Sequence, residues 1–292
     1  MLLRNKLFFV ALLTAVFSCS ADLKVKNGNS LLWKIEGNNC QPSYIFGTMH
    51  MIDAEYYSMS ESMTKKITTS DAIIMEVGGM PNPFETLALM TLDSGTVHQY
   101  FSKEQLVKLL EFMDKKLGTS PETFHSMYGK MKPFFILQSI SQGYFSEKTM
   151  SYDLNIMEMA NEKNIPLIGL ETIEQQLGFF DAIPMSDMAE LIMASIEDFD
   201  EEKEQTKKMM QIYYEQKVDK LIPLMNKQSP ELMAYSDIFL YDRNKAWIPK
   251  IMEEIKTKKC FIAVGAGHLF GEGGVIELLQ DKGYTLTAIS TE

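Results

Sequence analysis

Two histidines of this chain occur in the same local pattern near opposite ends of its length. His50 ends the stretch GTMH at 47–50, and His268 ends the stretch GAGH at 265–268. An apolar run precedes each stretch, so each motif reads as a strand that ends in a glycine turn and delivers a histidine. Imidazole nitrogens bind divalent metals and transfer protons near neutral pH. The repeated pattern indicates that the two motifs contribute to one site.

Two glutamates lie at the ends of other predicted strands. Glu76 ends the run AIIME at 72–76, and Glu171 follows the run PLIGL at 166–170. In an open parallel sheet, ligands bind beyond the carboxyl ends of the strands. Both carboxylates and both imidazoles are therefore expected at one edge of the sheet. Two histidines and a carboxylate are a suitable donor set for zinc, manganese or cobalt.

The remaining chemical motifs are weaker. Taken singly, a histidine after a glycine turn is more often a hydrogen-bonded structural residue than a ligand, and only the pairing favours a site. His98 and His125 lack the strand-end context, so we interpret both as structural residues. The G-x-G at 265–267 completes neither a Rossmann nor a Walker motif, which disfavours a nucleotide site. No G-x-S-x-G elbow is present, which disfavours acyl-enzyme chemistry.

The pattern of apolar residues predicts the elements that hold these groups. Asn38-Asn39 predicts a hairpin turn between the first two strands, and helical periodicity dominates from about 83 to 255. In this region Ser102 with Gln105 forms a capping-box pattern, and Gly118 ends the same helix. We predict an α/β fold with a mostly parallel central sheet, an N-terminal hairpin edge and a large helical insertion or cap. The predicted strands are 31–35, 44–46, 72–77, 166–170, 261–264 and 285–289.

The length of the chain indicates its domain organisation, and its net charge excludes some classes of partner. A chain of 292 residues with 46% hydrophobic residues is large enough for one α/β domain. No linker composition marks a boundary, so we predict a single domain over 31–292. The formal net charge of −11 argues against a nucleic-acid partner, because phosphate contacts need a basic face.

The amino terminus predicts export. Arg4 and Lys6 precede an apolar stretch at 7–17 that is too short to span a membrane, so residues 1–18 are a predicted signal peptide. Ser18-Cys19 resembles the lipobox of bacterial lipoproteins, although Phe17 departs from it. We therefore predict a protein of the bacterial cell envelope that is anchored to the membrane by lipid on Cys19, with 19–30 as a leash. A plain cleaved signal is the alternative.

Two further cysteines, Cys40 and Cys260, precede the two histidine-bearing strands. If those strands are parallel neighbours, both cysteines lie at the end of the sheet opposite the histidines. An exported protein can contain a disulfide, so a bridge and two free thiols are both compatible with the sequence.

Several of these features in combination resemble the TraB/GumN family, which includes the Tiki proteins. The resemblance runs from about Leu31 to the C terminus. It implies an α/β fold in which two Gly-x-x-His motifs and a glutamate form the active site. For the Tiki branch it implies a metal-dependent protease that clips secreted proteins. The matching features are GTMHM at 47–51, Glu76, GLET at 169–172 with Gln175, Arg243-Asn244, and VGAGHL at 264–269.

Roles for the charged residues follow from this resemblance and from the chemistry of peptide hydrolysis. His50 and His268 are the predicted metal ligands, with Glu76 or Glu171 as the third. We favour Glu76, because its strand is the next in order after His50. The other carboxylate would be the general base. Arg243 would stabilise an oxyanion or hold a substrate carboxylate.

Supporting roles fall to smaller and uncharged residues. Asn244 and Gln175 are predicted to orient the ligands and the base. Gly47, Gly265 and Gly267 would form the turns that present the histidines.

The sequence thus predicts a metal-dependent hydrolase that acts on proteins or peptides with manganese, cobalt or zinc. Met49, Met51 and Met75 flank the predicted site and could line an apolar cleft for peptide side chains. The alternative is a regulatory lipoprotein that binds a metal, haem or peptide without turnover. An esterase-like hydrolase of small molecules is a third interpretation.

Overall fold

The computed structural model describes residues 29–80, 82–225 and 237–291. A six-stranded mixed β-sheet lies at the centre of the fold. The predicted signal peptide (1–18), the predicted lipidation site Cys19 and most of the predicted leash (19–30) lie outside the described residues. In the part that is described, no helix combines the length and the apolar character that crossing a membrane requires.

The strands of this sheet are β1 (Leu32–Glu36), β2 (Ser43–Thr48), β4 (Ala72–Val77), β6 (Leu167–Glu171), β7 (Cys260–Gly265) and β8 (Thr285–Ile289). Their spatial order is β6-β4-β7-β2-β1-β8. Strands β6, β4, β7 and β2 run parallel, whereas β1 runs antiparallel to both of its neighbours, β2 and β8. The mostly parallel sheet and all six predicted strands are confirmed.

The connection from β1 to β2, residues 37–42, contains a turn in which the N–H of Cys40 donates to the carbonyl of Gly37 at 2.9 Å, as the sequence predicts. Asn38 and Asn39 have φ values of 49° and 56°, a left-handed conformation that asparagine tolerates better than most residues. Strand β8 pairs with the outer side of β1, so the hairpin lies one strand inside this edge of the sheet. A separate two-stranded ribbon pairs β3 (Ile52–Asp53) with β5 (Thr149–Met150).

The central strands are buried on both faces, as expected for a parallel sheet that is covered by helices. All six residues of β7 are buried. Phe261 and Ala263 belong to a large apolar core that includes most of the helices, whereas Ile262 and Val264 belong to a smaller core on the opposite face. The alternation of side chains along the strand therefore divides the hydrophobic core into two layers.

Helices cover both faces of the sheet, and local signals fix several of their ends. The capping box of Ser102 and Gln105 is formed, and Gly118 ends that helix with φ 66°. Ser120 caps the next helix, with Pro121 in its first turn. The α-helices are α1 (Glu61–Thr68), α2 (Pro83–Met90), α3 (Lys103–Leu117), α4 (Pro121–Tyr128), α5 (Phe134–Gln142), α6 (Tyr152–Lys163), α7 (Ile173–Phe180), α8 (Met185–Glu197), α9 (Phe199–Tyr214), α10 (Val218–Met225), α11 (Asp242–Thr257), α12 (Ala266–Leu269) and α13 (Val275–Asp281).

Of the two alternatives for the cysteines, the structure has free thiols. Cys40 is partly buried and Cys260 is fully buried at the start of β7. Burial raises the pKa of the Cys260 thiol to about 12, so this residue is an unreactive core side chain.

Candidate active site

The two histidine motifs leave the sheet side by side. Strands β2 and β7 are parallel neighbours, and Thr48 pairs with Gly265 at their carboxyl ends. His50 follows β2 by two residues, and His268 lies in the short helix α12 directly after β7. The parallel pairing therefore brings the two motifs together, as the sequence analysis expects.

Close packing explains the first glycine of each motif. A Cβ atom added to Gly47 would lie 2.9 Å from the Cα of Ala266 and 2.9 Å from the Cδ1 of Leu269. Only a glycine allows α12 to lie directly against β2. Gly265 contributes its backbone, because its N–H donates to Glu76 Oε1 at 2.9 Å. Gly267 is buried within α12.

Glu76 lies between the two imidazoles. Its Oε1 atom is 3.8 Å from His50 Nε2 and 3.8 Å from His268 Nε2. Strand β4 is next to β7 in the sheet, so a side chain near the end of β4 reaches both motifs. Glu76 is 4% exposed. The preference for Glu76 over Glu171 as the carboxylate nearer the histidines therefore agrees with its position.

Each imidazole uses only one of its nitrogens within the protein. His50 Nδ1 is 2.8 Å from Asp153 Oδ2, and His268 Nδ1 is 2.7 Å from Asn244 Oδ1. The Nε2 atoms of both rings are buried and have no hydrogen-bond partner among the described residues. Buried polar atoms are rarely left unpaired, so these two nitrogens make this position a candidate ligand site.

The two rings differ in their electrostatic surroundings. Burial acts to lower the pKa of His50, but the charge and hydrogen bond of Asp153, together with Glu76, raise it to about 9. For His268, burial and the nearby Arg243 lower the pKa to about 3. The Nδ1 of His268 contacts the neutral Asn244, whereas that of His50 contacts a carboxylate whose negative charge stabilises the protonated ring.

Arg243 connects the two glutamates from the start of α11. Its Nη2 donates to Glu76 Oε2 at 2.7 Å and also to Glu171, and its Nε donates to Glu171 at 3.1 and 3.2 Å. Its Nη1 donates to the carbonyl of Phe239 at 3.0 Å. All three nitrogens are thus used inside the protein. The guanidinium therefore holds two buried carboxylates in place.

The pKa values of the two glutamates are shifted in opposite directions. Burial acts to raise the pKa of Glu76, but Arg243 and the two histidines hold it well below its usual range. For Glu171 burial prevails over Arg243, and the pKa is raised. The indole N–H of Trp247 also donates to Glu171, at 3.2 Å, and its ring packs against His268.

Of the two polar residues predicted to orient the ligands and the base, Asn244 lies in the site and Gln175 does not. Asn244 reaches the site, where it binds the His268 ring and also donates to the carbonyl of Gly273 at 2.9 Å. Gln175 does not reach it. Its side chain accepts from the backbone N–H of Thr172 at 2.8 Å in the capping box of α7, and it is exposed. The next residue, Gln176, donates to Glu76 at 2.9 Å instead.

Sequence reasoning missed three residues of this cluster. Asp153 lies at the start of α6, where it accepts from Thr48 Oγ1 at 3.0 Å as well as contacting His50. Trp247 and Gln176 are the other two. The helical spacing 243, 244, 247 places Trp247 on the same face of α11 as its two predicted neighbours, and this signal could have identified it. Asp153 has no comparable local signal.

A cavity of about 420 Å³ opens beside the histidines and carboxylates. His50, Glu76 and Asp153 line one end of it. Of the methionines proposed to form an apolar cleft, Met75 lines the cavity, whereas Met49 and Met51 are not among its lining residues. The lining contains six methionines, which are Met75, Met80, Met90, Met127, Met131 and Met157.

Comparison with known proteins identifies the family. The model of the TraB/PrgY/gumN family matches residues 31–288. The chain belongs to this family. It is 24% identical over 268 residues to the uncharacterized protein YbaP of Shigella flexneri, an alignment that covers 87% of this chain and 94% of the relative. YbaP of Escherichia coli (strain K12) is also 24% identical, over 81% of this chain and 87% of the relative. No solved structure matches the chain significantly.

Membership of the TraB/PrgY/gumN family agrees with the resemblance seen in the sequence. Among the described residues, no group of three or more His, Cys, Asp and Glu side chains is already arranged to hold a metal ion. The site offers two unpaired imidazole nitrogens with one carboxylate oxygen between them. This arrangement is the starting point for a functional proposal.

Proposed function

We propose that this protein is a metal-dependent hydrolase that cleaves peptides or proteins. The observation that carries the proposal is the pair of buried, unpartnered Nε2 atoms of His50 and His268, which face Glu76. The resemblance to the Tiki branch of the family supports the same reaction class.

The residues fit a divalent ion in donor type. Two imidazole nitrogens and a carboxylate oxygen are ligands that manganese, cobalt and zinc accept. The 3.8 Å from each Nε2 to Glu76 Oε1 is less than twice the usual metal–ligand distance of about 2.0–2.2 Å, so one ion could contact both members of each pair. His50, His268 and Glu76 would hold the ion.

Such an ion, when bound, lowers the pKa of a coordinated water toward neutrality and polarises a carbonyl group. The protein's own residues prepare the site for this chemistry. Asp153 and Asn244 each hold one ring by its Nδ1, which directs both Nε2 atoms toward Glu76. Gly265, Gln176 and Arg243 all donate to Glu76 and keep it ionised.

The two glutamates have different proposed roles. Glu76 lines the cavity, whereas Glu171 accepts from Arg243 and Trp247 and is not among the lining residues. The depressed pKa of Glu76 suits a ligand better than a proton acceptor. We therefore assign Glu76 to ion binding and Glu171, together with Arg243, to positioning of Glu76.

The experiment that tests this function combines metal content with peptide cleavage. Wild type is compared with His50→Ala, His268→Ala and, as a matched control, His125→Ala, which alters an exposed histidine outside the site. Manganese, cobalt and zinc are each added back, and circular dichroism verifies folding. We expect both site variants to lose bound metal and cleavage, and the control to keep both.

Two results would contradict the proposal. Equal metal content in wild type and both site variants would exclude the ion site. Metal binding without cleavage of any peptide would favour the alternative, a protein that binds a metal or peptide without turnover.

The location of the protein is a separate proposal. We propose export and attachment to a membrane by lipid on Cys19, supported by the basic and apolar residues of 1–18 and by Ser18-Cys19. Replacing Cys19 by serine should move the protein from the membrane fraction to the soluble fraction. Retention in the membrane fraction would exclude this anchor.

A further inference from the structure

The cavity beside the candidate active site has an unusual distribution of polar and apolar groups. The charged residues in its lining are His50, Glu76 and Asp153, which lie together at the site. The remaining walls are mainly apolar and rich in methionine. Charged ligand groups would lose their hydration against these walls, whereas flexible methionines adapt to apolar groups of varied shape.

The mouth of the cavity also exposes apolar side chains to solvent. Met80, Leu87 and Met127 line the cavity and are 52%, 55% and 42% exposed. Phe84, one turn before Leu87 on α2, is 85% exposed. Exposed apolar residues at the mouth of a cavity are typical of a surface that binds an apolar ligand.

One wall of the cavity supplies hydrogen-bonding groups without charge. Phe135, Gln138, Ser139 and Gln142 of α5 line the cavity, and their spacing places them on one face of the helix. Ser139 Oγ is 2.7 Å from the Tyr128 hydroxyl and donates to the carbonyl of Phe135 at 3.0 Å, so the exposed Gln142 is the polar side chain of this face that a ligand reaches most directly. Amide and hydroxyl groups both donate and accept hydrogen bonds, as a peptide main chain does.

We propose that the cavity binds an extended substrate peptide through a large, uncharged apolar side chain, with the adjoining main chain beside Gln142 of α5. The peptidic nature of the ligand rests on the proposed function. The preference for an apolar side chain rests on the composition of the cavity, and its volume of about 420 Å³ lies within the range of roughly 300–1,000 Å³ found for ligand pockets. The apolar mouth and the methionines would select the residue beside the cleaved bond.

A binding experiment on metal-free protein tests the proposal without requiring turnover. The probes are dansyl-labelled alanine peptides with one variable residue, which is Leu, Met, Phe, Glu or Lys. Leu87→Lys places a charge at the mouth, and Val107→Lys is the matched control because Val107 of α3 is also 55% exposed and does not line the cavity. Circular dichroism verifies that both variants fold.

We expect wild type and Val107→Lys to bind the Leu, Met and Phe peptides about tenfold more tightly than the Glu and Lys peptides, because the charged groups must be desolvated. Leu87→Lys should weaken binding of the apolar peptides by at least about fivefold. Cleavage of the same peptides, measured with metal added, should follow the same order.

Three results would overturn the proposal. The first is equal affinity for apolar and charged peptides, and the second is unchanged affinity for the apolar peptides in Leu87→Lys. The third is binding of dansyl-undecanoic acid without binding of the peptides, which would assign the cavity to an acyl chain. Selective binding of apolar peptides without cleavage would support this inference and contradict the proposed hydrolase function, so the two can be judged separately.

Discussion

At the scale of single residues, the two imidazoles of the site are held by different partners. His50 contacts a carboxylate, Asp153, and His268 contacts an amide, Asn244. A carboxylate partner makes an imidazole a stronger donor to a ligand, whereas an amide mainly fixes the orientation of the ring. In the ion site that we propose, His50 should therefore be the stronger of the two nitrogen ligands, and Asp153 should control the strength of its binding.

Replacing Asp153 by asparagine tests this difference. The new side chain keeps the shape and a hydrogen-bonding oxygen but removes the charge. We expect affinity for zinc or cobalt to fall about 10- to 100-fold, measured by competition with a metal indicator. Asp200→Asn, which removes an exposed carboxylate, is the control and should leave affinity unchanged. An unaltered affinity in Asp153→Asn would show that the charge on Asp153 does not support His50.

Replacing Arg243 by alanine tests the buried charge cluster. The change leaves the carboxylates of Glu76 and Glu171 buried without their cation. We expect the free energy of unfolding in urea to fall by about 3–5 kcal/mol. Lys116→Ala removes an exposed ion pair with Asp200 and should cost less than about 1 kcal/mol. Similar small losses in both variants would mean that Arg243 does not stabilise the two carboxylates.

At the scale of elements, the strands and their ends could be predicted from the sequence because their signals are local. Each motif is an apolar run, a glycine and a polar residue, and parallel pairing then places His50, His268 and Glu76 at one edge. Asp153 could not be predicted this way. It comes from a helix 103 residues away from His50, and its contact depends on how that helix packs against the sheet.

The packing of α12 against β2 can be tested with two glycines. Gly47→Ala would place a methyl group 2.9 Å from the backbone of Ala266 and should cost about 1–3 kcal/mol of unfolding free energy. It should also weaken metal binding, because both motifs must move. Gly178→Ala in α7, where nothing lies within 4 Å of the added atom, should stabilise the protein by about 0.5–1 kcal/mol. Equal effects of the two changes would exclude the close contact as the reason for Gly47.

At the scale of the whole molecule, the predicted α/β architecture is correct, but the cavity could not be predicted. Its lining comes from β4, α2, α4, α5, α6 and α7, and the side chains that face it are set by tertiary packing and not by local periodicity. This explains why only Met75 of the three proposed methionines lines it. Periodicity identifies a buried face but does not identify the elements that cover it.

Buried tyrosines make the folded molecule sensitive to alkaline pH. Burial raises the pKa of Tyr152 to about 12 and raises that of Tyr213 well above its usual value. The unfolded chain loses these protons near pH 10, so the contribution of these two tyrosines to stability is constant below about pH 10 and falls as pH rises toward about 12. Urea unfolding across this range should show the loss, and Tyr152→Phe should reduce its slope. An unchanged slope in this variant would remove Tyr152 as a cause.

The pairing of β2 with β7 determines when the site can exist during the life of the chain. The backbone of Gly265 contacts Glu76 across 189 residues of sequence, so synthesis must pass His268 before either imidazole has its counterpart. Contacts of such long range form late in folding, because a large loop must be closed first. A nascent chain that does not yet include His268 therefore has no complete site, and the activity we propose is absent until the last strands of the sheet are in place.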